Sequence, residues 1–198
     1  MSHINKKGQT TRKKSIVVSG WPAVGKTTLA TELAREFDME LYNGGDILKM
    51  LAIEKGYSAS GSEWWDDTEA KKFMQDRRSD SSFDRRVDQK LIEIVKKGNA
   101  VITSYTIPWL VEGPIKFWLK ASQTSRAKRM ANRDKIACFK AKEIVKSRDE
   151  ENKKIYYNLY GFKFGEDLTV FDYLLNTDLL SLGSLVDISK NIVRYMAL

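Results

Sequence analysis

Histidine and cysteine are nearly absent from this chain of 198 residues, which has one of each, His3 and Cys138. A single cysteine leaves no intrachain disulfide, which fits a reducing compartment, and the cytoplasm is the expected location. A single histidine in a polar tail removes Ser/His/Asp hydrolases, Cys/His proteases and His/Cys zinc sites. No apolar run reaches the ~18 residues of a membrane span. The polar N-terminus lacks the apolar segment of a secretory signal, so neither a membrane nor secretion is expected. Internal repeats are missing, and nothing beyond the tail is of low complexity. What remains is 42% hydrophobic and 30% charged, the composition of one soluble globular domain with room for a sizeable core.

The net charge is +8, and its distribution is uneven. Residues 1–14 carry Lys6, Lys7, Arg12, Lys13 and Lys14 with no acid. Residues 120–154 hold twelve bases against five acids, so the rest of the chain is acidic on balance. The tail reads as a disordered solubilising segment, with weak nucleic-acid contact as the alternative. The internal basic segment asks for another explanation.

Three short apolar runs, 15–19, 100–103 and 115–119, read as buried strands, and 40–42 and 173–175 as two further short strands. Helical patterns separate them. Leu29, Leu33, Ala34 and Phe37 recur on one face over 25–37, and Phe83, Val87, Leu91, Ile94 and Val95 form a stripe that stops at Gly98. Further helices are expected over 46–55 and 184–196, and over 122–160 as two helices broken near Asp134–Ala137. Strands alternating with helices, without hairpin turns, predict a parallel sheet covered on both faces.

Gly20-Trp21-Pro22-Ala23-Val24-Gly25-Lys26-Thr27 fits G-x-x-x-x-G-K-[ST] at every fixed position. A strand ends just before it and an amphipathic helix begins within it, which is the context a phosphate loop requires. Gly20 and Gly25 permit the backbone angles for a tight wrap. Backbone N–H groups from Ala23 to Thr28 and the helix N-terminus favour a polyphosphate such as ATP, Lys26 reaches its terminal phosphates, and the Thr27 hydroxyl suits Mg²⁺. The chain has no Asn/Thr-Lys-x-Asp stretch to read guanine and no apolar run ending in Asp-Glu, as motor ATPases have. A compact small-molecule kinase is the remaining common option.

The phosphate loop at 20–28, Asn43-Gly-Gly-Asp-Ile-Leu-Lys49, Asp84 to Leu91, the strand at 100–104, Arg126 onward, Tyr156-Tyr-Asn-Leu-Tyr-Gly161 and Tyr173–Thr177 together resemble archaeal-type cytidylate kinases. The resemblance covers roughly residues 15–195. It implies a P-loop three-layer α/β sandwich with a five-stranded parallel sheet, a helical monophosphate-binding insert at about 43–97 and a helical lid at about 126–160. It implies transfer of the γ-phosphoryl of ATP to CMP or dCMP; a monomer is expected. Asn43 stands where the family has a serine, Lys49 where it has an arginine, and Ser104-Tyr105 where it has a glycine-arginine pair.

Phosphoryl transfer needs positioning and charge neutralisation, which accounts for the basic internal segment. Lys26, Arg126, Arg129, Arg133 and Arg148 are the expected catalytic cations. Arg126, Arg129 and Arg133 share one helical face, and ion pairing with acids such as Asp134 is the plainer use of that face. Acceptor candidates are Asn43, Lys49, Arg85, Asp88 and Tyr105. Arg86 is a further one, and at least one of the adjacent arginines is expected to be a surface charge. Trp64 and Trp65 are expected to pack in the core or at an interface. Cys138 is expected to be a buried small residue. A kinase of another small acceptor (AMP, a nucleoside or a sugar acid) and a nucleotide-dependent RNA-associated factor are the alternatives.

Overall fold

The computed structural model describes residues 13–58, 72–73, 75–76, 80 and 82–196. Most of the basic tail (1–12), Trp64 and Trp65 lie outside the described residues. The strands are β1 (Ile16–Gly20), β2 (Glu40–Asn43), β3 (Ala100–Thr103), β4 (Ile115–Lys120) and β5 (Tyr173–Asn176). They form one parallel sheet in the order β2-β3-β1-β4-β5, with Ile16 paired to both Val101 and Ile115. β1 is central and all five of its residues are buried, as a continuous apolar run demands when helices cover both faces.

The helices are α1 (Lys26–Phe37), α2 (Gly44–Glu54), α3 (Ser82–Lys97), α4 (Ile107–Leu110), α5 (Gln123–Asp134), α6 (Cys138–Tyr160) and α7 (Leu182–Tyr195). Side chains alternate across β1 and so divide the core. Val17 joins Leu51, Phe83 and Leu91 of α2 and α3, whereas Ile16 and Val18 join Leu29 and Leu33 of α1 and Leu185 and Val193 of α7. α5 and α6 pack through Ala127, Met130, Ala141 and Val145, small enough for close approach. Ser122 and Ser181 cap α5 and α7 by accepting the N–H of Ser125 and Ser184.

Two boundaries fall earlier than the periodicity indicates. α2 begins at Gly44 and α7 at Leu182, because the turn before each already carries helical bonds. α4 has too few residues for a periodic signal. It is built by Pro108 near its start and by the Ser104 hydroxyl, which accepts the N–H of Thr106 and Ile107. Cys138 corrects an expectation: it is exposed, because it opens α6 immediately after the turn from α5. No helix among the described residues is long and apolar enough to cross a membrane.

Candidate active site

The turn from β1 to α1 is shaped by three residues with positive φ. Gly20 has φ +141°, and a Cβ there would stand 2.2 Å from the Leu119 carbonyl oxygen, so the neighbouring strand admits only glycine. Gly25 has φ +99° and caps α1 without a side chain. Ala23, at φ +62°, is a non-glycine residue in the left-handed region, a strain concentrated where function tends to sit. The first turn of α1 has no acidic residue and no side-chain cap, so its amides remain available to an anion.

Two side chains of this loop, Trp21 and Val24, are committed to packing. Val24 is buried in the α1/α7 core. Trp21 enters an aromatic cluster, 4.9 Å from Phe164 and 6.2 Å from Trp118 between ring centroids. The chain after α6 closes over it: Gly165 has φ +79°, and a Cβ there would stand 2.0 Å from the indole. What the loop offers a ligand is its main chain, with the Lys26 and Thr27 side chains at the start of α1.

Cations take up the outer carbonyls. The Lys26 ammonium donates to the Gly20 and Trp21 oxygens at 2.9 Å. Arg126 donates to Pro22 O at 3.3 Å and Arg129 approaches Val24 O at 3.5 Å. Lys26 is partly exposed along its stem while its ammonium is enclosed, and burial first, then the Arg126 guanidinium, lower its pKa to about 7. A phosphate beside it restores the charged form. Above pH 7, nucleotide binding therefore takes up a proton, and affinity for ATP falls as pH rises, by up to about tenfold per pH unit. Titration calorimetry at pH 8.5 in two buffers of different ionisation enthalpy checks this. An uptake approaching one proton is expected, and zero uptake contradicts it.

The other arginines diverge. Arg126 is buried and bidentate to Asp149, at 2.8 and 2.6 Å. Arg129 also grips Thr177, through its hydroxyl at 2.8 Å and its carbonyl at 2.7 Å. Arg133 is exposed and forks onto Asp134. Arg148 is exposed on α6, close enough for its charge to help lower the Lys26 pKa. The shared face thus divides into a strut, a clamp and a surface pair.

Beyond Lys26 lies the turn after β3. The Tyr105 ring is 4.5 Å from the Lys26 ammonium, and Tyr156 and Phe164 flank it. The next residue, Thr106, donates its hydroxyl to the buried Asp88 of α3, which also accepts from Tyr160 at 2.7 Å. Arg85 is exposed and reaches Leu159 O at 3.4 Å. Arg86 is a surface charge paired with Glu54. Asn43 accepts from Thr103 and donates to Asp46, and Lys49 is half-buried on α2. A groove of about 390 Å³ between β2, α2 and α3 includes Asn43 and Asp46 but no residue of the phosphate loop.

Thr27 stands exposed at the first turn of α1, and no acidic, histidine or cysteine cluster among the described residues holds a metal by itself. The donor set thus fits Mg²⁺ only as shared with bound phosphates, which is how that ion is usually held.

Residues 15–179 match the cytidylate kinase-like family. The chain belongs to that family. The cytidylate kinase of Pyrobaculum islandicum is 34% identical over 180 residues, which cover 90% of this chain and 91% of that protein. The cytidylate kinase of Pyrococcus horikoshii is 33% identical over 83% of this chain and 80% of its own length. Among solved structures, shikimate kinase from Acinetobacter baumannii in complex with shikimate superposes with a TM-score of 0.55 at 16% identity, covering 93% of each chain. A gluconokinase from Sinorhizobium meliloti gives 0.53 at 12%, again over 93% of each. These structures share the P-loop kinase fold of this cytidylate kinase-like chain.

Sequence reasoning missed Asp149, Thr106, Thr177 and Tyr160 as partners within this site. Asp149 is hidden in a charged run, and a single threonine carries no pattern. Tyr160 did leave a signal, because it closes the Tyr156–Gly161 motif.

Proposed function

We propose that the protein is an ATP-dependent nucleoside monophosphate kinase that transfers the γ-phosphoryl of ATP to CMP or dCMP, yielding ADP and CDP or dCDP. One observation carries the reading. The Lys26 ammonium lies 4.5 Å from the Tyr105 ring and the next residue, Thr106, donates to the buried Asp88, so one turn links the donor grip to an acceptor candidate. A carboxylate accepts from the amino group of cytosine and is repelled by the carbonyl that uracil has there.

The main chain of residues 20–28 holds the donor phosphates, Lys26 draws on their terminal charge, and Thr27 shares Mg²⁺ with them. That ion supplies further charge neutralisation. Arg129, Arg133 and Arg148, with Arg126 behind them, belong to a helical lid at about 126–160 that covers the phosphates and excludes water. Lys49 and Arg85 hold the acceptor phosphate, and Asn43, Asp88 and Tyr105 shape the rest of an acceptor site in the insert at about 43–97. Lys49 offers a point charge in place of a fork. The attacking oxygen is an already ionised phosphate, so no general base is required. We assign the tail at 1–14 a solubilising role with weak nucleic-acid contact, and the protein to the cytoplasm as a monomer.

A coupled ADP-release assay across CMP, dCMP, UMP, AMP, GMP and shikimate tests the reading. CMP and dCMP are expected to exceed UMP by at least about tenfold, the discrimination one good base-edge contact provides. Faster turnover of AMP or shikimate than of CMP overturns it.

A further inference from the structure

Beyond lying at the end of that helical lid, the Tyr156–Gly161 motif has been given no role in the reaction, yet it ends beside the acceptor candidate Asp88. Tyr160 is the last residue of α6, and Gly161, at φ +76°, turns the chain back. Phe162 then stacks on Tyr160 at 6.1 Å and on Trp109 at 4.3 Å, with the ring planes nearly parallel in both. The Arg85 guanidinium lies 5.7 Å from the Tyr160 ring, and its Nη2 donates to the Leu159 carbonyl. With the ring so fixed, the hydroxyl donates to Asp88 Oδ2. Burial, then that hydrogen bond, raises the phenol's pKa, so it stays a donor at physiological pH.

The same helix is anchored eleven residues earlier. Asp149 holds Arg126, which holds the Pro22 carbonyl of the phosphate loop. Between these anchors α6 is unbroken, a span of about 16 Å at 1.5 Å per residue. One end is tied to the donor loop, and the other, through Asp88 and Thr106, to the turn beside Lys26. In-line transfer demands that donor and acceptor phosphates stand at a set separation, and a rigid helix pinned to both halves supplies one.

We propose that Tyr160 is a positioning residue: acting through Asp88, it pins the C-terminal end of α6 to the acceptor half of the site, so that α6 sets the donor–acceptor separation. This rests on the kinase reading, and the test separates the two. Wild type, Tyr160→Phe, Asp88→Asn and the double variant are assayed with ATP and with whichever monophosphate wild type turns over best. Tyr160→Phe keeps the ring stack and removes the hydroxyl. Its kcat/KM for the monophosphate should fall about tenfold while the KM for ATP stays within twofold. In the Asp88→Asn background the same change should have little further effect, because the two residues act as one unit. Equal changes for both substrates, no change, or additive losses overturn the proposal while leaving the kinase reading intact. A wild type that prefers another monophosphate overturns the CMP assignment alone, and one that turns over none overturns both.

Discussion

Lys26→Met should lose phosphoryl transfer by about 10²–10³-fold and yet melt no lower than wild type at pH 7–8. The loss follows from place. The ammonium is held 2.9 Å from two loop carbonyls at the mouth of the phosphate loop, where the terminal phosphates of a bound nucleotide would meet it. Methionine keeps the stem and removes the charge. The gain in folding follows from the lowered pKa. The unfolded lysine titrates near the ordinary lysine value of 10.5 and the folded one at about 7, so between these values the unfolded chain binds more protons. Stability of wild type therefore rises with pH across that window, and the penalty for enclosing the charge is full below pH 7. Removing the charge removes the penalty. Single-turnover kinetics together with a thermal melt at pH 7.5 check both halves. Turnover above a tenth of wild type sinks the catalytic role, and a sharply lowered melting temperature makes Lys26 a structural residue.

The split behaviour of Lys26 illustrates what was legible beforehand. Its place in a G-x-x-x-x-G-K-[ST] spacing between a strand and a helix identified the loop, because that motif is local and its geometry is fixed by a few adjacent residues. Much of the sheet was legible for the same reason: β3 and the start of β1 are short runs rich in β-branched residues, and α1 and α3 carry their stripes at helical spacing. Contacts between distant segments were not legible. Arg126 and Asp149 lie 23 residues apart and Tyr160 and Asp88 lie 72 apart. Neither separation leaves a periodic trace, since the fold alone brings them together. The arginine face on α5 shows the limit most plainly. Spacing puts Arg126, Arg129 and Arg133 on one side of the helix, but burial grades from the first to the last, and only tertiary packing tells a strut from a surface pair. Cys138 errs for the same reason, being an apolar-leaning residue that falls at an exposed helix start.

Arg126→Met is expected to destabilise the fold by about 3–5 kcal/mol, and Arg126→Met with Asp149→Leu to recover most of that loss. Asp149 is 7% exposed, and both of its oxygens accept from Arg126. Removing the guanidinium alone leaves a carboxylate in a site built for an ion pair. Removing both partners leaves an apolar contact between α5 and α6, whose interface there is already Ala127, Met130, Ala141 and Val145. The native pair is itself imperfect, because Arg126 Nε is buried without a hydrogen-bond partner among the described residues, which makes an apolar replacement easier to accept. Activity should part from stability at this point. The guanidinium also holds the Pro22 carbonyl and lies 5.7 Å from the Trp21 ring, so the double variant folds but loses the strut that orients the loop's amides. Urea melts and steady-state rates on the two variants test this together. Stability that returns without turnover supports a positioning role for the pair. Turnover that returns along with stability reduces the pair to a core contact, and a double variant as unstable as the single one removes the ion-pair explanation.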